Sequence, residues 1–541
     1  MSPKRALAIL IVVSGLLRLV AAGALGLGYD EASHFLYAVH PDLSYYDHPP
    51  MLAWVETTGL TLSGAVFSGV ALRSGFIALF AASTWLMWRI AGRWYGPRAG
   101  FFAALALNLT GYYGLAASTF ALPDGPLLFF WLLTIDRLSV ALEQPRGTWP
   151  WPWVWVGLAW GGAMLSKYHA IFLPAGMLLF LIVHRPLRHW LARPGPYLAF
   201  GMGLVVFSPV LVWNASHGWA SFLFQGGRAV AGLVPRPDYL AAAMLAQAGY
   251  LFPWIWIPLF SLMVREARNW SHLESEHERL ALCLAVAPVL VFTAVACFRP
   301  VLPHWGLIGL VSLFPVLGDS WRKHADRRPG PAVRWLSIAA VFPVILLGLT
   351  ILEYRTGCFQ RGGDARWGIF EARTDPTADL YGWDLVAGRL EELGVLDDKN
   401  AFLFTRTWYQ SAQVAHAIHL RLPVLCYNID DPRGFAFWSK PSQWLGHDGI
   451  LLVINDDFVP VSFYRRWFQE AVPLAEFTIE RGGRPVRRVQ AFRLINQLAA
   501  FPFDFSPERA AAREVLRAGG HPMDHTQQTV RRPSPEGTLA R

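Results

Sequence analysis

Acidic and histidine side chains are concentrated near the amino terminus. The stretch GYDEASHFLYAVHPDLSYYDHPPM, residues 28–51, holds four carboxylates and three histidines but no Lys or Arg. Asp30 and Glu31 come first, and the next cation along the chain is Arg73. Paired carboxylates with no cation beside them can accept a proton or hold a metal cation. The pair therefore predicts a general base, with a divalent-ion site as the alternative.

A helix cap is a second interpretation of Asp30. The segment EASHFLYAVH has apolar residues at helical spacing, which predicts a short amphipathic helix lying in the membrane interface. An aspartate at the start of such a helix accepts hydrogen bonds from its free backbone N–H groups. Capping does not exclude catalysis, because a capping carboxylate is also held in a fixed position.

The segment YYDHPPM, residues 45–51, presents another Asp-His pair. Its two prolines fix an extended backbone, so Asp47 and His48 are held in a defined direction. A structural turn would need the prolines but not the Asp-His pair. We therefore expect both side chains, with Tyr46 beside them, to contribute to a substrate site.

Three further polar residues lie beside apolar helical segments. Asp124 in LPDGP precedes one such segment, Lys167 in LSKYHA follows another, and Arg228 lies in the later loop FQGGR. A helix cap is the alternative for Asp124, and a snorkelling side chain is the alternative for Lys167. A lysine and an arginine that face carboxylates at headgroup depth instead indicate a phosphate bound beside a base.

The amino-acid composition indicates that these residues belong to a membrane protein. Of the 541 residues 54% are hydrophobic and only 16% are charged, and the chain has 25 Trp and 35 Phe. Apolar stretches of roughly 15 to 25 residues recur, each long enough to cross or nearly cross a bilayer as a helix. We predict a mainly α, polytopic membrane bundle of about eleven spans. They fall near 6–27, 70–91, 99–120, 125–142, 152–166, 169–184, 196–214, 240–264, 279–298, 303–319 and 334–354.

The loop charges predict the orientation. Lys and Arg concentrate in alternate loops, as around 4–5, 89–98, 185–193 and 322–334, and such loops stay cytoplasmic. The N-terminus is then cytoplasmic, and the first outer loop, residues 28–69, is periplasmic, as is everything after residue 354. We expect a multi-pass protein of a bacterial inner membrane. The net charge of +9 reflects this loop bias and does not indicate nucleic-acid binding.

After residue 354 the composition becomes that of a water-soluble domain. We predict a membrane domain over 1–354, a periplasmic α/β domain over 355–504 and a disordered tail over 505–541. Within the α/β domain the pattern predicts a strand and then a helix over 399–419, strands over 422–429, 449–456 and 487–496, and a helix over 460–472. Cys358 and Cys426 both fall in this outer part, where they either pair in an oxidising compartment or stay free.

These motifs, taken in order, resemble a known family. The acidic pair after the first span, YYDHPP, LPDGPLLFFW, SKYHAIFLPAG, WNASHGWASFLFQGGR and TWYQSAQVAHAI are similar to the bacterial glycosyltransferase family 39 proteins. This is the dolichyl-phosphate-mannose protein mannosyltransferase-like group, to which the lipid A aminoarabinose transferase is related. The matching motifs are spread over nearly the whole membrane region. Their occurrence in this order is more specific than any one motif.

The resemblance implies a GT-C fold, a polyprenyl-phosphate sugar donor, an acceptor in the cell envelope and no nucleotide. It implies that Asp30, with Glu31 beside it, carries the catalytic carboxylate. Lys167, Arg228 and a protonated His48 would bind the donor phosphate; relatives often have Lys at the last of these positions. Asp47, Asp124 and Tyr46 would order substrate or helix ends, and Tyr409 and Gln410 would roof the cavity. No cofactor is expected, and a divalent ion on Asp30, Glu31 and Asp124 is the alternative.

Two other classes of protein fit parts of the pattern. A transporter or flippase for a lipid-linked sugar is also polytopic, but its charged groups usually lie near mid-membrane, whereas these gather at one surface. A metal hydrolase would use His34, His40 and His48, but their spacing puts them on different faces, and EASH is not a zinc-protease motif. We therefore favour sugar transfer.

Overall fold

The computed structural model describes residues 2–64, 66–145, 149–227, 234–270, 275–361, 368–372, 374–455 and 460–502. The helices are α1 (Pro3–Ala24), α2 (Tyr29–Val39), α3 (Met51–Ser63), α4 (Gly69–Tyr95), α5 (Pro97–Asn108), α6 (Ala117–Thr119), α7 (Asp124–Leu142), α8 (Trp151–Ser166), α9 (Phe172–Val183), α10 (Pro194–Ser216), α11 (Ala220–Gly227), α12 (Pro237–Leu251), α13 (Pro253–Arg268), α14 (Glu276–Ala296), α15 (His304–Val311), α16 (Phe314–Arg327), α17 (Pro329–Thr356), α18 (Trp383–Glu392), α19 (Trp408–Ala417) and α20 (Phe435–Trp438).

The membrane bundle is built from helices between α1 and α17, whereas α2 and α3 lie in the loop between α1 and α4. Within the described residues, six helices are each long and apolar enough to cross a membrane, and the number rises to nine if each bent pair is one span. The chain is therefore a multi-pass membrane protein, and the predicted mainly α fold class is confirmed. The count of about eleven spans and the orientation stay predictions.

The predicted span near 240–264 is bent into two helices, and whether the pair forms one span stays a prediction. α12 and α13 meet at 117°, with Phe252 between them at φ +64°. Pro253 begins α13, and a proline disfavours helical backbone at the residue before it. The chain therefore turns sharply at Phe252.

A second bend falls between α5 and the π-helical turn Tyr112–Ala116, which leads into α6 at 83° to α5. Arg18 of α1 is buried against this bend. Its guanidinium donates to the carbonyl oxygen of Gly114 at 2.6 Å, to Asn108 at 3.1 Å and to Ser118 at 2.7 Å. A charged side chain inside the first span is thus paired with the polar groups that the bend exposes.

The α/β domain is built on a five-stranded sheet. Its strands are β1 (Ala401–Thr405), β2 (Val424–Cys426), β3 (Asp448–Ile454), β4 (Phe468–Arg481) and β5 (Arg484–Gln497), in the order β2-β1-β3-β5-β4. β1 runs parallel to β2 and β3, and β5 runs antiparallel to β3 and β4. The predicted strand and helix over 399–419 are confirmed as β1 and α19.

The helix predicted over 460–472 is wrong. A short 3₁₀ turn occupies Val461–Arg466, and β4 begins at Phe468 and pairs with β5. The apolar spacing of this segment also fits a strand, and fourteen-residue pairing with β5 decides the outcome. Cys358 and Cys426 are free thiols. The domain boundaries stay predictions, and the predicted tail over 505–541 lies outside the described residues.

The loop between α1 and α4 lies between the bundle and the α/β domain. Its helix α2 is buried from Glu31 to Tyr37 and packs against α3 and α19. Gln413 of α19 donates to the carbonyl oxygen of Leu27 at 2.7 Å. The expectation of an interfacial amphipathic helix is therefore wrong, since protein covers all faces of this segment.

Candidate functional site

A cavity of about 1340 Å³ lies between the bundle and the α/β domain. Its polar end is lined by charged and histidine side chains from both: Asp30, His34, His48, Asp124, Lys167, His169, His304, Asp379 and Arg433. Its other end is an apolar channel along α1, α5 and α17, where Leu10, Leu105 and Leu347 are among the walls. The cavity thus joins a charged chamber to a path for a hydrocarbon chain.

Asp30 is the second residue of α2, and its side chain is exposed in this cavity. Gly28 is the N-cap residue, and its N–H donates to Glu31 at 3.0 Å. The capping function therefore belongs to Glu31, and the interpretation of Asp30 as a cap is wrong. Within the described residues the Asp30 carboxylate forms no ion pair, which leaves it available to accept a proton.

Glu31 is buried behind Asp30. Arg73 of α4 donates to both carboxylate oxygens, at 2.8 and 2.6 Å, and the backbone N–H of Ala121 donates at 2.9 Å. Burial alone would raise the pKa of Glu31, but the Arg73 charge and these hydrogen bonds lower it below the usual value. The expectation that both carboxylates lack salt-bridge partners is wrong for Glu31, because Arg73 reaches back across the loop.

Lys167 and Asp124 form a buried ion pair in the cavity wall, with 2.7 Å between Nζ and Oδ2. Asp124 is the first residue of α7, after the N-cap Pro123, and Lys167 follows the end of α8. The snorkelling interpretation of Lys167 is wrong, as is the N-cap interpretation of Asp124. A lysine has three N–H donors, so Lys167 keeps two for a ligand.

His48 lines the cavity, whereas its neighbour Asp47 is not among the described residues that line it. Burial lowers the pKa of His48 to about 3, although Asp47 opposes this shift. The imidazole is therefore neutral at pH 7 and can offer an N–H donor but no positive charge. This low pKa argues against a protonated His48, and its contact with the donor phosphate stays a prediction.

Asp47 connects the two domains. Arg433, in the loop before α20, donates to its carboxylate at 2.8 Å, and the Tyr37 hydroxyl donates to the same group. Gln225 holds the Asp47 carbonyl oxygen at 2.8 Å. The function of Asp47 in this arrangement is to hold Arg433 at the cavity.

Besides Glu31 and Asp47, three further predicted site residues are not among the described residues that line the cavity. The Tyr46 ring packs against Phe224 and Phe437, with centroids 4.6 and 5.8 Å away. Tyr409 packs against Tyr29 at 4.5 Å, and Gln410 is buried in α19. The predicted roof is instead formed by Arg433 and Asp379. Arg228 lies outside the described residues.

Arg433 and Asp379 were missed by the sequence reasoning. Arg433 follows β2 in NIDDPRG, at the carboxyl end of a parallel strand, and that position could have identified it. Its guanidinium also contacts Asp431 at 3.3 Å and lies 4.1 Å from the Trp408 ring centroid. Asp379 lies in a turn, TADLY, with no motif to mark it.

The alternative metal set is not assembled. Within the described ranges no group of three or more His, Cys, Asp or Glu side chains is placed to hold a metal ion. Glu31 is engaged by Arg73, and Asp124 is engaged by Lys167.

The fold and the cavity together define the class: a GT-C membrane protein, in which a helical bundle and an α/β domain enclose one polar chamber with an apolar channel. Similarity to known proteins supports this class. Residues 47–213 match the model of the family described as dolichyl-phosphate-mannose-protein mannosyltransferase. The predicted resemblance is thereby confirmed.

One curated relative and two solved structures extend the match. The chain is 27% identical to the lipid A galacturonosyltransferase RgtD of Rhizobium johnstonii over 297 residues, which are 52% of this chain and 58% of that protein. It thus spans less than two thirds of this relative. ArnT from Cupriavidus metallidurans bound to undecaprenyl phosphate has a TM-score of 0.61 at 17% identity, over 90% of this chain and 97% of that one. The apo state of ArnT gives 0.61 at 16% identity, over 91% and 98%.

Proposed function

We propose that this protein transfers a sugar from a polyprenyl phosphate to a hydroxyl group of a cell-envelope acceptor. The observation that carries the proposal is the continuity of the cavity, from the unpaired Asp30 past Lys167 and Arg433 into the apolar channel. A lipid phosphate fits this shape with its tail in the channel and its sugar beside Asp30. The likeness to ArnT, which was solved with undecaprenyl phosphate, supports a polyprenyl phosphate as the donor lipid.

The chemistry follows from the charges. Asp30 accepts the proton of the acceptor hydroxyl as its oxygen attacks the anomeric carbon. The bond from that carbon to the phosphate oxygen breaks, and the lipid phosphate leaves as a stable anion that requires no general acid. Lys167 and Arg433 stabilise the charge that develops on the phosphate, and neutral His48 donates one hydrogen bond.

The remaining carboxylates have supporting functions in this proposal. Glu31 fixes the start of α2 through Arg73, Asp124 orients Lys167, and Asp47 orients Arg433. One base and no covalent intermediate imply inversion at the anomeric carbon. The reaction as proposed needs no metal or other cofactor, since the two cations neutralise the phosphate.

We further propose that the chain lies in a bacterial inner membrane with its N-terminus in the cytoplasm and the cavity facing the periplasm. A nucleotide sugar would not reach this side, whereas a lipid-linked donor would. The acceptor class to test first is lipid A, with a uronosyl donor among the sugars, because RgtD is named as a lipid A galacturonosyltransferase.

The test is sugar transfer by the purified full chain, reconstituted with a panel of polyprenyl-phosphate sugars and envelope acceptors. We expect the wild type to release polyprenyl phosphate only when acceptor is present. Asp30→Asn should lower kcat/KM by about a hundredfold or more with an unchanged size-exclusion profile. Asp238→Asn changes an exposed aspartate outside the cavity and should match the wild type.

Two results would contradict the proposal. Equal rates for wild type and Asp30→Asn would remove Asp30 as the base. Movement of the donor across the bilayer without consumption of any sugar would favour a flippase, the alternative that the sequence left open.

A further inference from the structure

A second cavity, of about 440 Å³, lies between α13, α16 and α17. It shares no lining residue with the large cavity. Its walls include Ala332, Trp335 and Leu336 from the first two turns of α17. The α/β domain contacts the opposite end of α17, where Arg481 reaches Glu353. A helix of 28 residues is about 42 Å long, so the second cavity lies a bilayer thickness away from that domain.

The walls of this cavity are amphipathic. Leu262, Leu317 and Leu336 supply apolar surface, and Trp321 packs edge-on against Trp335 with ring centroids 4.7 Å apart. Arg265 and His324 supply the polar rim. Tryptophans beside cationic side chains are typical of the boundary between headgroups and acyl chains.

The charge around the cavity is positive. Its three helices carry seven Lys and Arg over residues 258–268 and 314–336 but only three carboxylates, Glu266, Asp319 and Asp326, with Glu278 of α14 nearby. Arg265 directs its Nε and Nη2 at Glu266, at 2.9 and 2.6 Å, and its side chain is 61% exposed. A guanidinium has five N–H donors, so Arg265 retains capacity for an anionic oxygen.

We propose that this cavity binds an anionic phospholipid, with the phosphate at Arg265 and an acyl chain along α17. Basic pockets between membrane helices suit such headgroups. The outer surface of α17 continues from the cavity as exposed apolar side chains, among them Ile338 and Ile345. The surface charge and the apolar path together select a lipid over a soluble anion. The inference is independent of sugar transfer.

The test compares lipids on delipidated, full-length protein in detergent. Native mass spectrometry counts bound dioleoylphosphatidylglycerol and dioleoylphosphatidylcholine, and thermal unfolding follows the stabilisation by each. We expect a saturable phosphatidylglycerol site, and inorganic phosphate at the same concentration should give no stabilisation. Arg265→Gln should weaken that site roughly tenfold, as expected when a charge-assisted hydrogen bond is lost.

Two further variants separate charge from shape and from general surface effects. Ser320 is exposed and lines the cavity, so Ser320→Trp should fill it and abolish binding without removing a charge. Arg93→Gln removes an arginine of a part-exposed ion pair elsewhere in the bundle and should leave the site intact. Equal binding of the two lipids, equal effects of all three variants, or stabilisation by inorganic phosphate would each overturn the proposal. If Arg265→Gln fails to fold, the proposal is tested by comparing phosphatidylglycerol binding in Ser320→Trp and Arg93→Gln.

Discussion

Asp30 and Asp379 approach the same end of the cavity from different domains. The Tyr29 backbone N–H donates to Asp379, so this carboxylate holds the first residue of α2, next to Asp30. Burial, opposed by backbone hydrogen bonds and reinforced by the Asp30 charge, raises the pKa of Asp379 to about 6. Asp379 therefore ionises near neutral pH, and because its pKa is raised in the folded state, its ionisation lowers the stability of that state.

This placement predicts a pH effect on transfer. As the pH rises through about 6, Asp379 loses its proton and places a second negative charge close to Asp30, which favours proton transfer to Asp30. We expect kcat/KM of the wild type to rise across this pH range. The kcat/KM of Asp379→Asn should not show this rise. The exposed Asp384 of the same domain gives the matched control, Asp384→Asn. The same rise of kcat/KM with pH in Asp379→Asn would show that Asp379 does not cause it.

Glu56 of α3 is fully buried, and neither carboxylate oxygen has a hydrogen-bond partner among the described residues. Burial, reinforced by the Glu31 charge, raises the pKa of Glu56 well above its usual value. The folded state therefore binds this proton more tightly than the unfolded state does. Stability from this group is present below the unfolded pKa and is lost as the pH rises through the folded pKa.

The variant Glu56→Gln cannot ionise and should escape this loss. We expect the Tm of the wild type to fall more than that of Glu56→Gln between pH 5 and pH 8. Thermal unfolding in detergent at several pH values measures the difference, and Glu143→Gln, at a part-exposed position, serves as the control. Parallel Tm curves for wild type and Glu56→Gln would show that Glu56 has a partner or access to water.

Among the elements, α2 depends most on one ion pair. Arg73 and Glu31 are both buried and join α2 to α4, and Arg73 also donates to the carbonyl oxygens of Ala22 and Leu25 at the end of α1. Removal of one partner from a buried pair leaves an uncompensated charge and costs roughly 3–5 kcal/mol. The part-exposed pair of Arg93 and Glu143 should be worth less than about 1 kcal/mol.

A double-mutant cycle tests this dependence. We expect Glu31→Gln and Arg73→Met each to lower the free energy of unfolding strongly, and the double variant to lose much less than the sum. The same cycle on Arg93 and Glu143 should be nearly additive. Additive losses at Glu31 and Arg73 would mean that the pair does not hold α2.

The sequence predicts elements best where a single periodicity governs them. The apolar stretches give the helices of the bundle, and β1 with α19 follows from a clear pattern. The departures have local physical causes: Pro253 bends an apolar run that was predicted as one span, and β5 pairs with a segment that was predicted as a helix. α2 was predicted as a helix, but its burial comes from α19, which is far away in the sequence.

At the scale of the whole molecule, the site is assembled from distant parts. Asp30, Lys167 and Asp124 were predicted from motifs in the membrane region, and the structure brings all three to one cavity. Arg433 reaches the same cavity from 386 residues beyond Asp47. No spacing rule connects positions so far apart, so this half of the site could not be derived without the domain arrangement.

Arg433 can act in two ways, and paired variants distinguish them. It either supplies positive charge to the donor phosphate or only neutralises Asp47. In the first case Arg433→Gln should lower kcat/KM by about tenfold or more, and Arg433→Lys should restore part of it, because charge at the phosphate stabilises the transition state. Arg421→Gln, an exposed arginine of the same domain, should match the wild type.

The decisive variant is Asp47→Asn combined with Arg433→Gln. If Arg433 only neutralises Asp47, the double variant removes the unpaired carboxylate and should recover the wild-type rate. If Arg433 supplies charge to the cavity, the double variant stays as slow as Arg433→Gln alone. We expect the second result, because Arg433 lines the cavity and Asp47 is not among the described residues that line it. Full recovery in the double variant would instead make the contact between the domains purely structural.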